Sequence, residues 1–251
     1  MSLQEIISKN IQLLEGADGE FYGRVWNTPQ TVYRNRLKAI GFESHAHVLD
    51  AGCGFGQWIL GLASLNQQVT AFDYSDIRVK TLQNVVEHQK LSNVRALSAS
   101  LENIPLPDQS FDAVFCYSVI YFTDWKKSVQ EIARVMKPQG KLYLCANGLG
   151  WYLHNLINEH NSSASFDARQ MAGDAIENTL QYLYENKRNP EKQLFIPSEY
   201  LTDELTKHNF DIIASVPEGT YQVNEGVSIK PFYQASYYNK EGVYEIIAVK
   251  K

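Results

Sequence analysis

Val48-Leu49-Asp50-Ala51-Gly52-Cys53-Gly54-Phe55-Gly56-Gln57-Trp58 is the stretch whose reading decides the fold. An apolar, β-branched run ends on an acid, passes through glycines at alternate positions and enters helix-forming residues. Glycine accepts the unusual dihedrals of a tight turn, and its missing Cβ lets a ligand lie against the backbone. A strand that hands over to a helix in this way is the βα turn of an open α/β sheet, whose ligands bind at the carboxyl edge. By itself G-x-G-x-G is also met by a tight turn that binds nothing.

The following run, Gln68 to Phe72, narrows the choice. It leads into Asp73, at the distance from the glycines where a carboxylate accepts both hydroxyls of a ribose, so an adenosine-containing ligand is indicated. A dinucleotide turn reads G-x-G-x-x-G, and its third glycine falls at position 57, where the chain has Gln57. Asp50 would repel a diphosphate, whereas an ammonium or sulfonium would be attracted at short range. Asp50 has an equal second reading, in which it caps the loop through backbone amides.

Outward from this turn, Val48–Asp50, Gln68–Phe72, Val94–Ser98, Ala113–Tyr117 and Lys141–Ala146 read as strands separated by segments of helical period. That alternation predicts crossover helices on both faces of a parallel sheet. Ser75 caps a helix reaching His88, and Asp124 caps one to Met136 that Pro138 and Gly140 stop. Ahead of the first strand, helices are expected over Leu3–Leu14 and Pro29–Ile40, separated by a turn-rich stretch from Gly16 to Trp26. After the fifth strand, Asn147 to Pro197 shows helical patterns over Trp151–Glu159 and Phe166–Tyr184 and is read as an inserted lid. A capped helix Ser198–His208 and strands Phe210–Val216 and Tyr244–Val249 follow, with a Tyr-rich excursion between those strands. The expected architecture is α/β, a doubly wound, mostly parallel seven-stranded sheet in one domain. Residues 1–45 are a helical cap, 46–146 the ligand-binding core, 147–197 the helical lid and 198–251 the completion of the sheet.

The chain has 251 residues, 44% apolar and 20% charged, the balance of a globular protein. Its net charge of −5 comes without a broad basic face, which argues against nucleic acid as a general partner. The longest apolar run, Ala113 to Phe122, is half of what a membrane span needs, and residues 1–10 form no secretion signal. Cys53, Cys116 and Cys145 have neither disulfide-framework nor zinc spacing, so a cytoplasmic setting is expected.

Five stretches in order resemble the class I S-adenosylmethionine-dependent methyltransferases of the small-molecule branch: VLDAGCGFGQW, AFDYS, SLENIPLPDQSFDAVFCYSVIYF, EIARVMKPQG and KLYLCA. The resemblance is close over about residues 46–146 and looser from Ser198. It implies a Rossmann-like fold and S-adenosyl-L-methionine as methyl donor, converted to S-adenosyl-L-homocysteine. Asp50, Gly52, Cys53, Gly54 and Gly56 would face the methionine portion and Asp73 the ribose. Tyr74 would flank the adenine, the Ser100–Leu101 turn would border its edge, and Tyr117 and Ser118 would lie beside the transferring methyl. Trp26 is counted with this set. Family members often have an aspartate where Ser100 stands, and a hydroxyl makes a weaker, neutral contact. Glu102 is expected to be a solvated turn residue.

Methyl transfer from a sulfonium is an in-line displacement that needs alignment above all. A small-molecule acceptor is expected, its identity and its O, N or C atom undetermined. His154, Tyr121 and His160 are the proton-handling candidates. Trp151, Tyr152, Phe166, Tyr182 and Tyr184, with Phe21, Tyr22 and Trp26, suit closure over an apolar or cationic substrate, or simple helix packing. No metal spacing occurs near the fourth strand. The alternatives are an NAD(P)-binding oxidoreductase, disfavoured by Gln57 and the lack of a Tyr-x-x-x-Lys constellation, a non-catalytic S-adenosylmethionine-binding module, and an RNA methyltransferase.

Overall fold

The computed structural model describes residues 2–224, 226–227 and 229–251. Met1, the first residue of the expected cap, lies outside them, as do Glu225 and Ser228 of the Tyr-rich excursion. The elements run α1 Leu3–Ile11, α2 Gly16–Asn27, α3 Gln30–Ala39, β1 His47–Ala51, α4 Ile59–Leu65, β2 Gln68–Asp73, α5 Asp76–His88, β3 Val94–Ser98 and β4 Phe111–Tyr117. A short 3-10 turn, Ile120–Phe122, precedes α6 Trp125–Val135 and β5 Met136–Asn147. The chain ends with α7 Leu149–Asn158, α8 Ala168–Glu185, α9 Ser198–Lys207, β6 Phe210–Pro217, the two-residue strands β7 Ser236–Tyr237 and β8 Lys240–Glu241, and β9 Val243–Lys250.

Seven strands make one sheet in the order β3-β2-β1-β4-β5-β9-β6. Strands β1 to β5 pair in parallel, and β9 is antiparallel to both β5 and β6. Alternate residues of each strand feed opposite cores, as a period of two requires. Leu49, Val114, Cys116, Leu142, Leu144, Ile246 and Ala248 pack under α6 and α9. Val48, Ala113, Phe115, Tyr143, Cys145 and Ile247 pack under α3 and α4. The sheet is thus doubly wound, and its order reverses between β1 and β4, the switch point at whose carboxyl end open α/β sheets bind their ligands.

Two expectations need correction. Gly16–Asn27 is a helix, not a turn-rich connection. Three glycines argue locally against it, but Tyr22, Val25 and Trp26, spaced i, i+3, i+4, bury against Phe55 of the glycine turn and Ile6 and Ile7 of α1, and that burial outweighs propensity. Pro138 and Gly140 do not stop a helix: α6 ends at Val135, and both lie within β5, where pairing jumps from Phe111↔Met136 to Ala113↔Lys141. Proline, lacking an N–H, is tolerated in a strand at such an irregularity.

The excursion between β6 and β9 crosses to distant elements. Val223 donates its amide to the Ala39 carbonyl at the end of α3, and the β7–β8 hairpin lies against α7. A Cβ on Gly150 would stand 2.4 Å from the Lys240 carbonyl oxygen, so the two backbones touch. Among the described residues no helix is long and apolar enough to cross a membrane.

Candidate functional site

Strand β1 ends at the glycine turn, where Gly52 and Gly56 have φ of 77° and 77°. This is the left-handed region that a Cβ disfavours. The amides of Gly52 and Cys53 both donate to the Phe72 carbonyl, which binds the turn to the end of β2. A Cβ on Gly52 would lie 2.4 Å from Val119 Cγ1 in the loop after β4, whereas one on Gly54 meets only Gln57 Oε1 at 3.8 Å.

Asp73, at the end of β2, is 4% exposed. Its Oδ2 accepts from Gly54 N at 3.0 Å and its Oδ1 from Ser75 N at 3.0 Å. Each oxygen keeps a lone pair. Burial raises its pKa above the usual carboxylate value, against the pull of the Ser75 amide, Arg78 and the Gly54 amide. Asp50 is 2% exposed, and its Oδ2 has no hydrogen-bond partner among the described residues. The reading of Asp50 as a loop cap fails at this oxygen, because the amides of Gly52 and Cys53 are taken by Phe72. Burial, then the Asp73 charge, pushes the Asp50 carboxyl up to about 8. Buried Cys53 shares the raised thiol expected of that setting, first from burial and then from Asp50.

Tyr74 follows with 71% of its surface exposed. The Arg78 guanidinium lies 6.0 Å from its ring centre, 5.2 Å from that of Phe55 and 2.6 Å from Asp18. Trp26 is buried and donates its indole N–H to the Phe55 carbonyl at 3.2 Å, tying α2 to the glycine turn. Beyond β3, Ala99 N donates to the Asp73 carbonyl, which brings the Ser100–Leu101 turn beside β2. Ser100 is exposed, with Oγ accepting from Glu102 N at 3.1 Å, while Leu101 is buried. Glu102 is not merely solvated: it accepts from Asp124 N at 2.9 Å and pairs with Arg188 at 3.1 Å.

Beside β1, β4 ends at Tyr117, whose hydroxyl donates to Glu218 Oε1 at 3.0 Å. Ser118 has φ of 59°, a strained backbone for a residue with a Cβ, and its amide donates to the Cys145 carbonyl. Tyr121 is buried, its hydroxyl facing Ser118 and Asn147, and burial raises its phenol far above the ordinary value. His154 stands apart from this group. Its ring stacks on Tyr237 at 4.4 Å, lies 4.9 Å from the His160 ring and has Nδ1 3.0 Å from Asn158 Nδ2.

Sequence reading missed a buried charge cluster behind Tyr117. Arg36 of α3 pairs with Glu218 and lies 3.8 Å from Glu245 of β9. Tyr143 donates to Glu245 Oε2 at 2.7 Å, the amides of Thr220 and Tyr221 to its Oε1, and Phe232 N to Glu218 Oε2. One signal was available: Glu245 is an acid inside the otherwise apolar run of β9. Also missed were other buried polar atoms without partners among the described residues, among them Gln57 Oε1, Trp58 Nε1 and Asn147 Nδ2. With Asp50 Oδ2 they sit on the glycine turn, the start of α4 and the ends of β1 and β5. Among the described residues no three or more His, Cys, Asp or Glu side chains are grouped to hold a metal ion.

These features fit S-adenosylmethionine: a buried carboxyl with one unpartnered oxygen for its cationic end, a glycine turn open at Gly54, an acid with spare lone pairs and an open tyrosine ring. The family model described as a methyltransferase domain matches residues 49–144. An uncharacterized methyltransferase of Bacillus subtilis (strain 168), YcgJ, is 31% identical over 109 residues, covering 43% of this chain and 43% of the relative. The match therefore spans less than half of that relative's length. A crystal structure of an S-adenosylmethionine-dependent methyltransferase from Thermotoga maritima, titled a possible histamine N-methyltransferase, superposes with a TM-score of 0.58 at 20% identity, over 92% of this chain and 96% of that one. The cyclase SpnF also superposes, with a TM-score of 0.58 at 17% identity over 88% of this chain and 81% of that one, so likeness of fold alone does not name the reaction. Residues 49–144 therefore match a methyltransferase domain, and the chain has the fold of a solved S-adenosylmethionine-dependent methyltransferase.

Proposed function

We propose that the protein transfers a methyl group from S-adenosyl-L-methionine to a small-molecule acceptor and releases S-adenosyl-L-homocysteine. The observation that carries this reading is the pair of buried acids flanking the glycine turn, Asp50 with an unpartnered oxygen and Asp73 with both oxygens oriented by amides. Asp50 suits a cation at short range, and Asp73 suits the two ribose hydroxyls. The backbone of Gly52, Cys53, Gly54 and Gly56 cradles the amino-acid end, Tyr74 covers the adenine, and Ser100 and Leu101 border its edge. Trp26 holds the turn from behind through Phe55.

When bound, S-adenosylmethionine supplies a methyl already activated on a sulfonium. Tyr117 and Ser118 face that methyl, and Glu218 fixes the Tyr117 hydroxyl. The acceptor atom forms its bond to carbon as the carbon–sulfur bond breaks, and any proton it carries leaves to solvent. No side chain need act as nucleophile, and alignment supplies most of the acceleration. The phenol of Tyr121, raised by burial, serves as a hydrogen-bonding wall rather than a base at neutral pH. The helical insertion 147–197 closes the crevice and excludes water.

Calorimetric titration with S-adenosylmethionine, S-adenosylhomocysteine and NAD tests the reading. The first two should bind, and Asp73→Ala should weaken both at least ten-fold, the scale of hydrogen bonds to a charged group. Binding of NAD alone would overturn it.

A further inference from the structure

We propose that Arg78 is a positioning residue for the nucleoside half of S-adenosylmethionine, held to that task by Asp18 of the cap helix α2. The inference rests on the methyltransferase reading above and adds the means by which the cap bears on nucleotide affinity.

Arg78 stands in the first turn of α5, which leaves β2 directly after Asp73 and Tyr74. Its guanidinium lies 5.2 Å from the ring centre of Phe55 and 6.0 Å from that of Tyr74. Those two residues bracket the Asp73 carboxylate. Tyr74 follows it in the chain, and Phe55 follows Gly54, whose amide donates to Asp73 Oδ2 at 3.0 Å. Among the described residues, the titratable and charged groups around Asp73 are Asp50 of β1, Cys53 of the glycine turn, Asp18 of α2, Tyr74 and Arg78, and of these Arg78 is the cation. Burial raises the Asp73 carboxyl, and the Ser75 amide and Arg78 oppose that rise. The carboxylate is the form that accepts from both ribose hydroxyls, whereas a protonated carboxyl has lost an acceptor site. A cation over the ring also steadies Tyr74, which is 71% exposed, as a flat face for adenine.

The guanidinium is held at one end. Asp18, in the first turn of α2, accepts from Arg78 Nη2 at 2.6 Å, while Arg78 Nε is buried with no hydrogen-bond partner among the described residues. Docking of α2 does not depend on this pair. Tyr22, Val25 and Trp26 bury against Phe55 and Val85, and buried Asn10 of α1 donates to the Tyr22 hydroxyl and the Thr81 carbonyl, each at 2.9 Å. With the Arg78 and Asp18 side chains 24% and 33% exposed, their ion pair adds little to stability. Its effect is on placement: it fixes a long, flexible side chain in one position, and that position is beside the nucleoside site.

The test titrates the full chain with S-adenosylhomocysteine and with adenosine, which lacks the amino-acid end and so reads the nucleoside side alone. Failure to bind S-adenosylhomocysteine would sink the methyltransferase reading itself and is read first. Adenosine affinity is then followed from about pH 4 to about pH 7, a range in which Asp50 keeps its proton, and should fall on the acid side as Asp73 takes one up. Arg78→Met should weaken adenosine roughly five-fold, the upper scale of a partly exposed charge pair, and move the midpoint of that fall to higher pH. Arg78→Lys, which keeps the charge, should recover most of the midpoint shift, as a merely structural arginine would not require. Asp18→Asn should also weaken adenosine, although it removes a negative charge beside Asp73; an aspartate acting through its charge alone would do the opposite. That variant carries the test if Arg78→Met fails to fold. An unmoved midpoint in Arg78→Met, equal or tighter adenosine binding in Asp18→Asn, or a chain that binds S-adenosylhomocysteine but not adenosine would overturn the proposal.

Discussion

Asp50 is where a ligand would change the chemistry of a single residue most. Its carboxyl, lifted to about 8 by burial, keeps a proton that the unfolded chain, with an ordinary carboxyl near 4, has already lost. Stability of the free protein therefore falls as pH rises from about 4 to about 8, and Asp50→Asn, neutral throughout, should flatten that slope in a plot of melting temperature against pH. The raised carboxyl of Asp73 acts in the same direction and remains in the variant, so part of the slope persists. A cationic ligand needs the carboxylate. Binding of S-adenosylhomocysteine below about pH 8 should then expel a proton, strengthen as pH rises toward 8, and show a heat that varies with the ionisation enthalpy of the buffer. A buffer-independent heat would count against Asp50 as the cation's partner.

Among elements, the glycine turn and the cluster behind β4 make opposite demands. Gly52→Ala places a Cβ at a φ of 77° and 2.4 Å from Val119. The backbone strain alone is worth about 1–3 kcal/mol. A lower melting temperature and lost nucleotide binding are expected, and shrinking Val119 to alanine should recover only part of the packing share, since its Cβ still stands 2.8 Å from the new one. In the cluster, Arg36→Met would leave Glu218 and Glu245 buried without their cation, at a cost of about 3–5 kcal/mol. Adding Glu218→Gln should return part of that loss, and urea unfolding of the two variants measures both. An unchanged midpoint in Arg36→Met would show that solvent reaches the cluster.

For the whole molecule, the proposed function assigns ligand binding and acceptor choice to different parts of the chain. The nucleotide contacts are proposed within 50–56, 73–74, 100–101 and 117–118, and the acceptor contacts within the insertion 147–197 and the crossing between β6 and β9. Hydrogen exchange with and without S-adenosylhomocysteine should slow in the first set and leave α9 and β6 unchanged. Tyr233→Ala should alter acceptor KM and leave nucleotide affinity alone; a parallel loss of both would mean that the crossing serves the nucleotide too.

The strands, their order of appearance and the glycine turn with its two acids were legible in the sequence because each is a local pattern. A short β-branched or aromatic run between segments of helical period marks a buried parallel strand, and a turn that needs left-handed backbone demands glycine wherever it stands. The helix Gly16–Asn27 was not legible, since its stability comes from Phe55 and α1 rather than from its own glycine-rich residues. The same holds for Glu102, tied by Arg188 from the far side of the insertion, and for Arg36, Glu218 and Glu245, which meet from three elements across a sheet. Whether a polar atom is buried and unanswered, as at Asp50 and Asn147, depends on everything packed around it. Local composition therefore determined the α/β sheet and the glycine turn of its ligand edge, whereas tertiary packing alone decided which side chains close the crevice and which are left with an unfilled valence for hydrogen bonding.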